Sequence, residues 1–134
     1  MDPKEVMAFF NTRPRNCLLI TSNPNGDVNG AVYGSPNMVD ENTIVLATKE
    51  SRSYQYLREN PRAALIVVEP GVMGHDSKAV RVYMELMDIE TEGELLAKFK
   101  KEVAGRAGEK AAEDLKAAIR FKITEIRPLI DPVS

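Results

Sequence analysis

The stretch that decides the fold runs from Ile44 to Arg62 and reads IVLATKESRSYQYLRENPR. Its first residues are apolar and largely β-branched, which predicts a buried strand over residues 43–47. The serines at positions 51 and 53 favour the start of a short helix, and Pro61 ends it because proline cannot continue a helix. A second apolar run covers residues 64–68. The stretch therefore predicts a strand, a short helix and another strand.

The start of this short helix is also the best candidate for a binding site. A helix N-terminus has free N–H groups and a partial positive charge, so it attracts anions. Arg52 adds a planar fork of donors suited to phosphate, and Lys49 adds a second positive charge. Hydroxyl donors come from Thr48, Ser51 and Ser53. An alternative stays open from the residue types alone: one serine is an ordinary helix cap and Arg52 a solvated surface charge.

The chain before this stretch predicts one helix and two strands. Asp2, Pro3 and Glu5 have the spacing of a capped helix start. Residues 17–21 form a short apolar run that predicts a buried strand containing Cys17 as a small core residue. The turn-forming residues 23–27 then predict a hairpin into a strand over residues 28–34.

The chain after this stretch predicts two curved strands and two helices. Apolar residues alternate from Val80 to Leu86 and then change phase, which indicates a β-bulge. Helical segments follow, one through Leu95 to Val103 and one through Ala112 to Ile119. A last strand, with Ile119, Phe121 and Ile123 in alternation, changes phase before Ile126. The six predicted strands are joined mostly by turns. We therefore expect a mainly β (α+β) fold, a six-stranded antiparallel barrel with peripheral helices, as a single domain over residues 1–134.

The amino-acid composition limits the kinds of catalytic and metal site that the chain can form. The 134 residues include one Cys, Cys17, and one His, His75, so no internal disulfide forms and no Cys/His zinc site is expected. Any self-contained hydrolytic triad would depend on His75. The net charge of −2 gives no global basic field for nucleic acid, and no membrane span or signal segment is apparent, so we expect a cytoplasmic protein. An enzyme of this composition would borrow its chemistry from a cofactor.

The central stretch resembles the flavin-binding split-barrel family typified by pyridoxamine 5′-phosphate oxidase. The resemblance rests on Ser51-Arg52-Ser53, on Asn60-Pro61-Arg62 and on the apolar run 63–68, in that order. It extends to the opening helix, the hairpin turn, the bulged strand and the last strand. It implies a six-stranded split barrel that binds FMN, as a homodimer with the flavin at the subunit interface.

The resemblance also implies which residues touch the flavin. Arg52 and Ser53 would hold the phosphate, and Ala47 and Thr48 would line the flavin or its ribityl chain through backbone and hydroxyl contacts. The segment 33–37 would pass the ring, where Gly34 allows close approach and Ser35 or Asn37 would bond the ring edge. With the rest of the helix start, the candidate cofactor residues are Gly34, Ser35, Asn37, Ala47, Thr48, Lys49, Ser51, Arg52 and Ser53.

Two departures from the family pattern shape the expected function. The second phosphate-binding residue of the family is often Lys, and here it is Ser53. The C-terminal Arg and His with which the true oxidase grips its substrate have no counterpart, so pyridoxamine phosphate oxidation is not expected. We expect an oxidoreductase that uses FMN on a small-molecule redox substrate, with no catalytic side chain assigned.

Three alternatives remain. One is a non-catalytic FMN-binding or electron-carrier protein. A second follows from relatives within the resemblance, some of which bind a deazaflavin or degrade haem. The third is of another class: Gly105-Arg106-Ala107-Gly108, between two predicted helices, has the Gly-x-x-Gly spacing with which KH domains clamp nucleic acid. His75 lies in a predicted loop and is a candidate to reach a substrate above the flavin.

Overall fold

A computed structural model describes residues 1–71 and 78–130 of the chain. The helices are α1 (Pro3–Asn11), α2 (Arg52–Glu59), α3 (Glu94–Ala107) and α4 (Glu109–Glu113). The strands are β1 (Asn16–Ser22), β2 (Val28–Val32), β3 (Asn37–Asp40), β4 (Thr43–Lys49), β5 (Arg62–Val68), β6 (Ala79–Glu90) and β7 (Leu115–Pro128). None of the helices in this described part is long and apolar enough to cross a membrane.

All the strands belong to one antiparallel sheet in the order β2-β1-β5-β6-β7-β4-β3. The hydrogen-bond ladder is open between β2 and β3, which are the two edges, as in a split barrel. The predicted α+β fold with a mainly antiparallel sheet is confirmed. The seventh strand is β3, a four-residue strand that pairs with β4 on the other side of the turn at residues 41–42. Its short length and mixed composition gave no strand signal in the sequence.

The main core lies inside the curled sheet and is closed by α1 and α2. Phe10 of α1 and Leu57 of α2 pack with inward-facing residues of the strands, among them Leu19, Leu65 and Phe121. Asp2 caps α1 as predicted, since its side chain accepts a hydrogen bond from the Glu5 N–H at 2.9 Å. The hairpin at residues 23–27 also forms, although β2 ends at Val32 rather than at residue 34.

A second, smaller core lies on the outer face of the sheet under α3. Leu96 and Phe99 of α3 pack on Val45, Ala47 and Ala118. As a result β4 is buried on both faces from residue 44 to residue 48. Continuous burial of this kind is the reason that its sequence shows no alternation of apolar and polar residues.

Both phase changes in the sequence correspond to β-bulges. Met87 has no partner on β7, because the register passes from Leu86 to Asp88. The second bulge lies on β7 between Ile123 and Glu125. The predicted second late helix extends too far, because α4 stops at residue 113 and Leu115 already belongs to β7. Ile119 pairs with β4 and β6, in the strand that its alternation with Phe121 and Ile123 predicts. Tertiary strand pairing overrides the helical spacing that the sequence shows there.

Candidate anion and cofactor site

The start of α2 carries two backbone donors that the helix does not use. Ser51 is the N-cap, and its Oγ accepts a hydrogen bond from the Tyr54 N–H at 3.2 Å. The Gln55 N–H bonds to the Ser51 carbonyl at 2.9 Å. The N–H groups of Arg52 and Ser53 have no acceptor among residues 1–71 and 78–130. They form the donor pair that an anion at a helix N-terminus requires.

The two arginines of α2 differ in what they contact. Arg58 donates to both carboxylate oxygens of Glu50, at 3.1 and 2.6 Å, and its guanidinium lies 3.9 Å from the centre of the Tyr54 ring. These hydrogen bonds lower the pKa of Glu50 and compensate its charge beside the helix start. Arg52 is exposed, and within the described part of the chain it has no hydrogen-bond or ion-pair partner. Arg52 is therefore free to bind an anion.

Ser53 is almost completely buried, at 2% exposure, and its hydroxyl is fixed by β2. The Asn29 side chain donates to Ser53 Oγ at 3.1 Å. The serine hydrogen then remains free to point toward an acceptor. Asn29 was not a candidate from the sequence, because only the pairing of β2 with β1 brings it beside α2.

A cluster of hydroxyl groups joins the end of β4 to the segment after β2. Thr48, which is 2% exposed, shares a hydrogen bond of 2.6 Å with the Tyr33 hydroxyl. The Ser51 hydroxyl lies 3.4 Å from that of Tyr33 and 3.5 Å from that of Thr48. Tyr33 lies in the segment that the resemblance places beside the flavin ring, although it was not among the candidate residues.

Ser35 extends the sheet with its side chain. Pairing of β3 with β4 ends at Asn37 and Val45, and beyond it Ser35 Oγ donates to the Ala47 carbonyl at 2.9 Å and accepts from the Ala47 N–H at 3.0 Å. Both polar backbone groups of Ala47 are thus already hydrogen-bonded. The same bonds fix the segment 33–37 against the end of β4.

Two arginines fix the opposite side of this segment. Arg13 donates to the carbonyls of Gly34 and Pro36, both at 3.2 Å. Arg15 donates to the same carbonyls, and partial burial lowers its pKa to about 10. A Cβ built on Gly34 would meet no atom within 4 Å, so neither packing nor a positive φ requires glycine there. The missing side chain leaves open space beside the cleft.

These features surround a cleft of about 430 Å³, which we call the first cleft. This volume lies in the range of small-molecule sites. Eight of the nine candidate residues line it: Gly34, Ser35, Ala47, Thr48, Lys49, Ser51, Arg52 and Ser53. Asn37 lies in an adjoining cleft. Lys49, Arg52 and Arg106 give the first cleft three cations, and its described lining includes no carboxylate. The donor set fits a phosphate-bearing ligand.

The sequence predicts a different role for Arg106, in a loop between two helices that would bind nucleic acid. The structure places Gly105 and Arg106 inside α3, and Gly108 is the C-cap of that helix with a φ of +95°. The Gly-x-x-Gly segment is therefore mostly helical, and the prediction of an inter-helix loop for it is wrong. His75, the candidate to reach a substrate, lies outside the described residues.

The open antiparallel sheet with its four helices defines a split-barrel protein of the α+β class, and the start of α2 offers it donors for an anion. Residues 3–129 match the family model described as pyridoxamine 5′-phosphate oxidase. The chain therefore belongs to the pyridoxamine 5′-phosphate oxidase family. No curated protein matches it in sequence.

Solved structures with the same fold carry several descriptions. An FMN-binding protein from Syntrophomonas wolfei subsp. wolfei has a TM-score of 0.80 at 24% identity, over 98% of this chain and 90% of that one. HupZ from Group A Streptococcus has a TM-score of 0.76 at 18% identity, over 96% and 94%. HutZ, the haem storage protein from Vibrio cholerae, has a TM-score of 0.66 at 16% identity, over 93% and 92%. These similarities show the shared fold.

Proposed function

We propose that the protein binds FMN in the first cleft and acts as a flavin-dependent oxidoreductase. The observation that carries the proposal is Arg52, an exposed guanidinium without a partner in the described chain, beside two unused N–H groups at the start of α2. Membership of the pyridoxamine 5′-phosphate oxidase family and the FMN-binding structural neighbour support the same cofactor. FMN, when bound, supplies hydride or electron transfer.

The residues of the first cleft have separate roles in this proposal. Arg52, the Ser53 hydroxyl and the two free N–H groups would hold the phosphate, with Lys49 adding positive charge. The hydroxyl groups of Thr48 and Ser51 would face the chain that links the phosphate to the ring. The open side of Gly34 would admit the ring itself. The protein then contributes binding and orientation, which is the usual division between a flavin and its protein.

The cofactor is tested by identifying what the purified protein retains. We expect a yellow protein that releases FMN on denaturation, and a cofactor-free form that takes up FMN in preference to riboflavin. A colourless protein that does not bind added FMN, or one that takes up haem or a deazaflavin instead, would contradict the proposal. Tight FMN binding without turnover of any reductant or acceptor would favour the non-catalytic alternative.

We further propose that the protein is a homodimer that covers the first cleft. Edge strand β2 exposes Val28 and Val32 to 73% and 79%, and Val32 also lines the cleft. An exposed apolar edge strand favours pairing with a second chain. Light scattering should report a dimer for the native protein and a monomer for Val32→Asp. The control is Met87→Asp, since Met87 is 59% exposed at the β6 bulge and lines neither cleft.

A further inference from the structure

A second cleft of about 490 Å³ opens beside the first, between α3 and the outer side of β3 and β4. The two clefts share Gly34, Ser35 and Arg106 in their walls. A ligand in the second cleft would therefore lie next to whatever occupies the first. We call it the second cleft; apart from Asn37, the residues that line it alone belong to no part of the proposed FMN site.

The inner part of the second cleft is apolar. Val45 and Phe99 form its buried wall, at 5% and 7% exposure, and Leu95 and Val39 extend it outward. The α3 residues that line it are 95, 98, 99, 102 and 106, which is the spacing of a single helix face. This wall suits a flat, apolar ring.

The outer part of the second cleft is positively charged. Lys98, Arg106 and Arg13 line it with a single carboxylate, that of Glu102. Glu102 lies four residues from both Lys98 and Arg106, yet none of these three forms an ion pair within the described part of the chain. Arg13 donates to carbonyl oxygens and to no carboxylate among those residues. The whole chain is acidic, with a net charge of −2, so this excess of cations is local.

We propose that the second cleft binds the substrate, an organic anion with an aromatic or similarly apolar body and a carboxylate-type group. The apolar body packs against Phe99 and Val45, and the anionic group lies beside Lys98, which precedes Phe99 on α3 and lines the second cleft alone. The cations that have no carboxylate partner supply the complementary charge. The assignment of this organic anion as the substrate rests on the proposed function, because only a flavin bound in the first cleft makes the second cleft a reaction site.

The test measures binding of two matched probes to the FMN-loaded protein by calorimetry. Naphthalene sulfonate carries the ring and the negative charge, and naphthyl methanol carries the ring alone. We expect the sulfonate to bind more tightly than the alcohol, and Lys98→Glu to weaken the sulfonate by about tenfold or more through charge repulsion. Lys101→Glu, on an exposed position of α3 outside both clefts, is the matched control and should change nothing.

Three results would overturn the proposal. The first is equal binding of the two probes, and the second is an equal effect of Lys98→Glu and Lys101→Glu. The third is sulfonate binding to the cofactor-free protein that FMN abolishes, because the second cleft would then belong to the cofactor. FMN affinity, followed by flavin fluorescence, should be the same in both variants. If the protein binds no FMN, the proposed function fails, while the probe titration of the same protein still reports on the second cleft.

Discussion

Replacing Arg52 by alanine tests the phosphate contact without disturbing the fold. The side chain is exposed and makes no hydrogen bond or ion pair with the described residues, so its removal breaks no such interaction among them. We expect the free energy of unfolding of the cofactor-free protein to change by about 0.5 kcal/mol or less, as for ordinary surface substitutions. Any larger effect on cofactor binding then reports on the cofactor contact itself.

The size of that effect follows from the donor set. In the proposed site Arg52 would supply a charge-assisted hydrogen bond to the phosphate, worth about 1.5–3 kcal/mol. This range corresponds to an FMN affinity weakened by roughly 10- to 150-fold. Binding is not abolished, because the Ser53 hydroxyl and the free N–H groups of α2 remain. Ser53→Ala should cost no more than Arg52→Ala, since it removes one neutral donor.

Riboflavin provides the internal control, because it has the ring and lacks the phosphate. Titrations followed by flavin fluorescence should show that Arg52→Ala weakens FMN binding and leaves riboflavin binding unchanged. Arg62→Ala is the matched variant, since Arg62 is exposed at the start of β5 and lines neither cleft. An equal loss for FMN and riboflavin, or no loss for FMN, would refute the assignment of the phosphate to the start of α2.

Two further substitutions and two treatments test the fold. Ser35→Ala leaves both polar backbone groups of Ala47 without their partner, so urea denaturation should show a loss of about 1–3 kcal/mol. Burial raises the pKa of the Cys17 thiol above its ordinary 9.0, so the native protein should resist a thiol reagent at neutral pH and react once unfolded. Because the unfolded thiol ionises first, stability should also fall as the pH rises through that ordinary value. Gly93→Ala should lower the melting temperature, because the new Cβ would lie 2.7 Å from the Glu90 carboxylate carbon at a φ of +143°.

Local signals in the sequence predicted the elements that local chemistry determines. Pro61 and the capping serine at position 51 define α2, and the residues 23–27 define the first hairpin. The bulge at Met87 was visible because a bulge moves every later side chain to the opposite face. Each of these predictions depended on residues that are close together in the chain.

The remaining features depend on contacts between distant segments. Asn29 and Arg106 approach the first cleft from β2 and α3, and nothing in their own neighbourhoods indicates it. Leu115 follows helical spacing in the sequence, yet it begins β7 and pairs with Lys49 of β4. A short strand such as β3 is defined by its pairing partner rather than by its composition.

Strand β4 explains why one stretch of sequence determines both the fold and the candidate site. Its inner face, with Leu46, contributes to the main core, and its outer face, with Val45, supports α3. The register of β4 on β7 shifts between Thr48 and Lys49, where the strand ends and leads into α2. The proposed phosphate donors therefore follow directly after a strand that is packed on both faces. Because the same strand carries α3, the second cleft is fixed relative to the first, as a substrate site beside a cofactor requires.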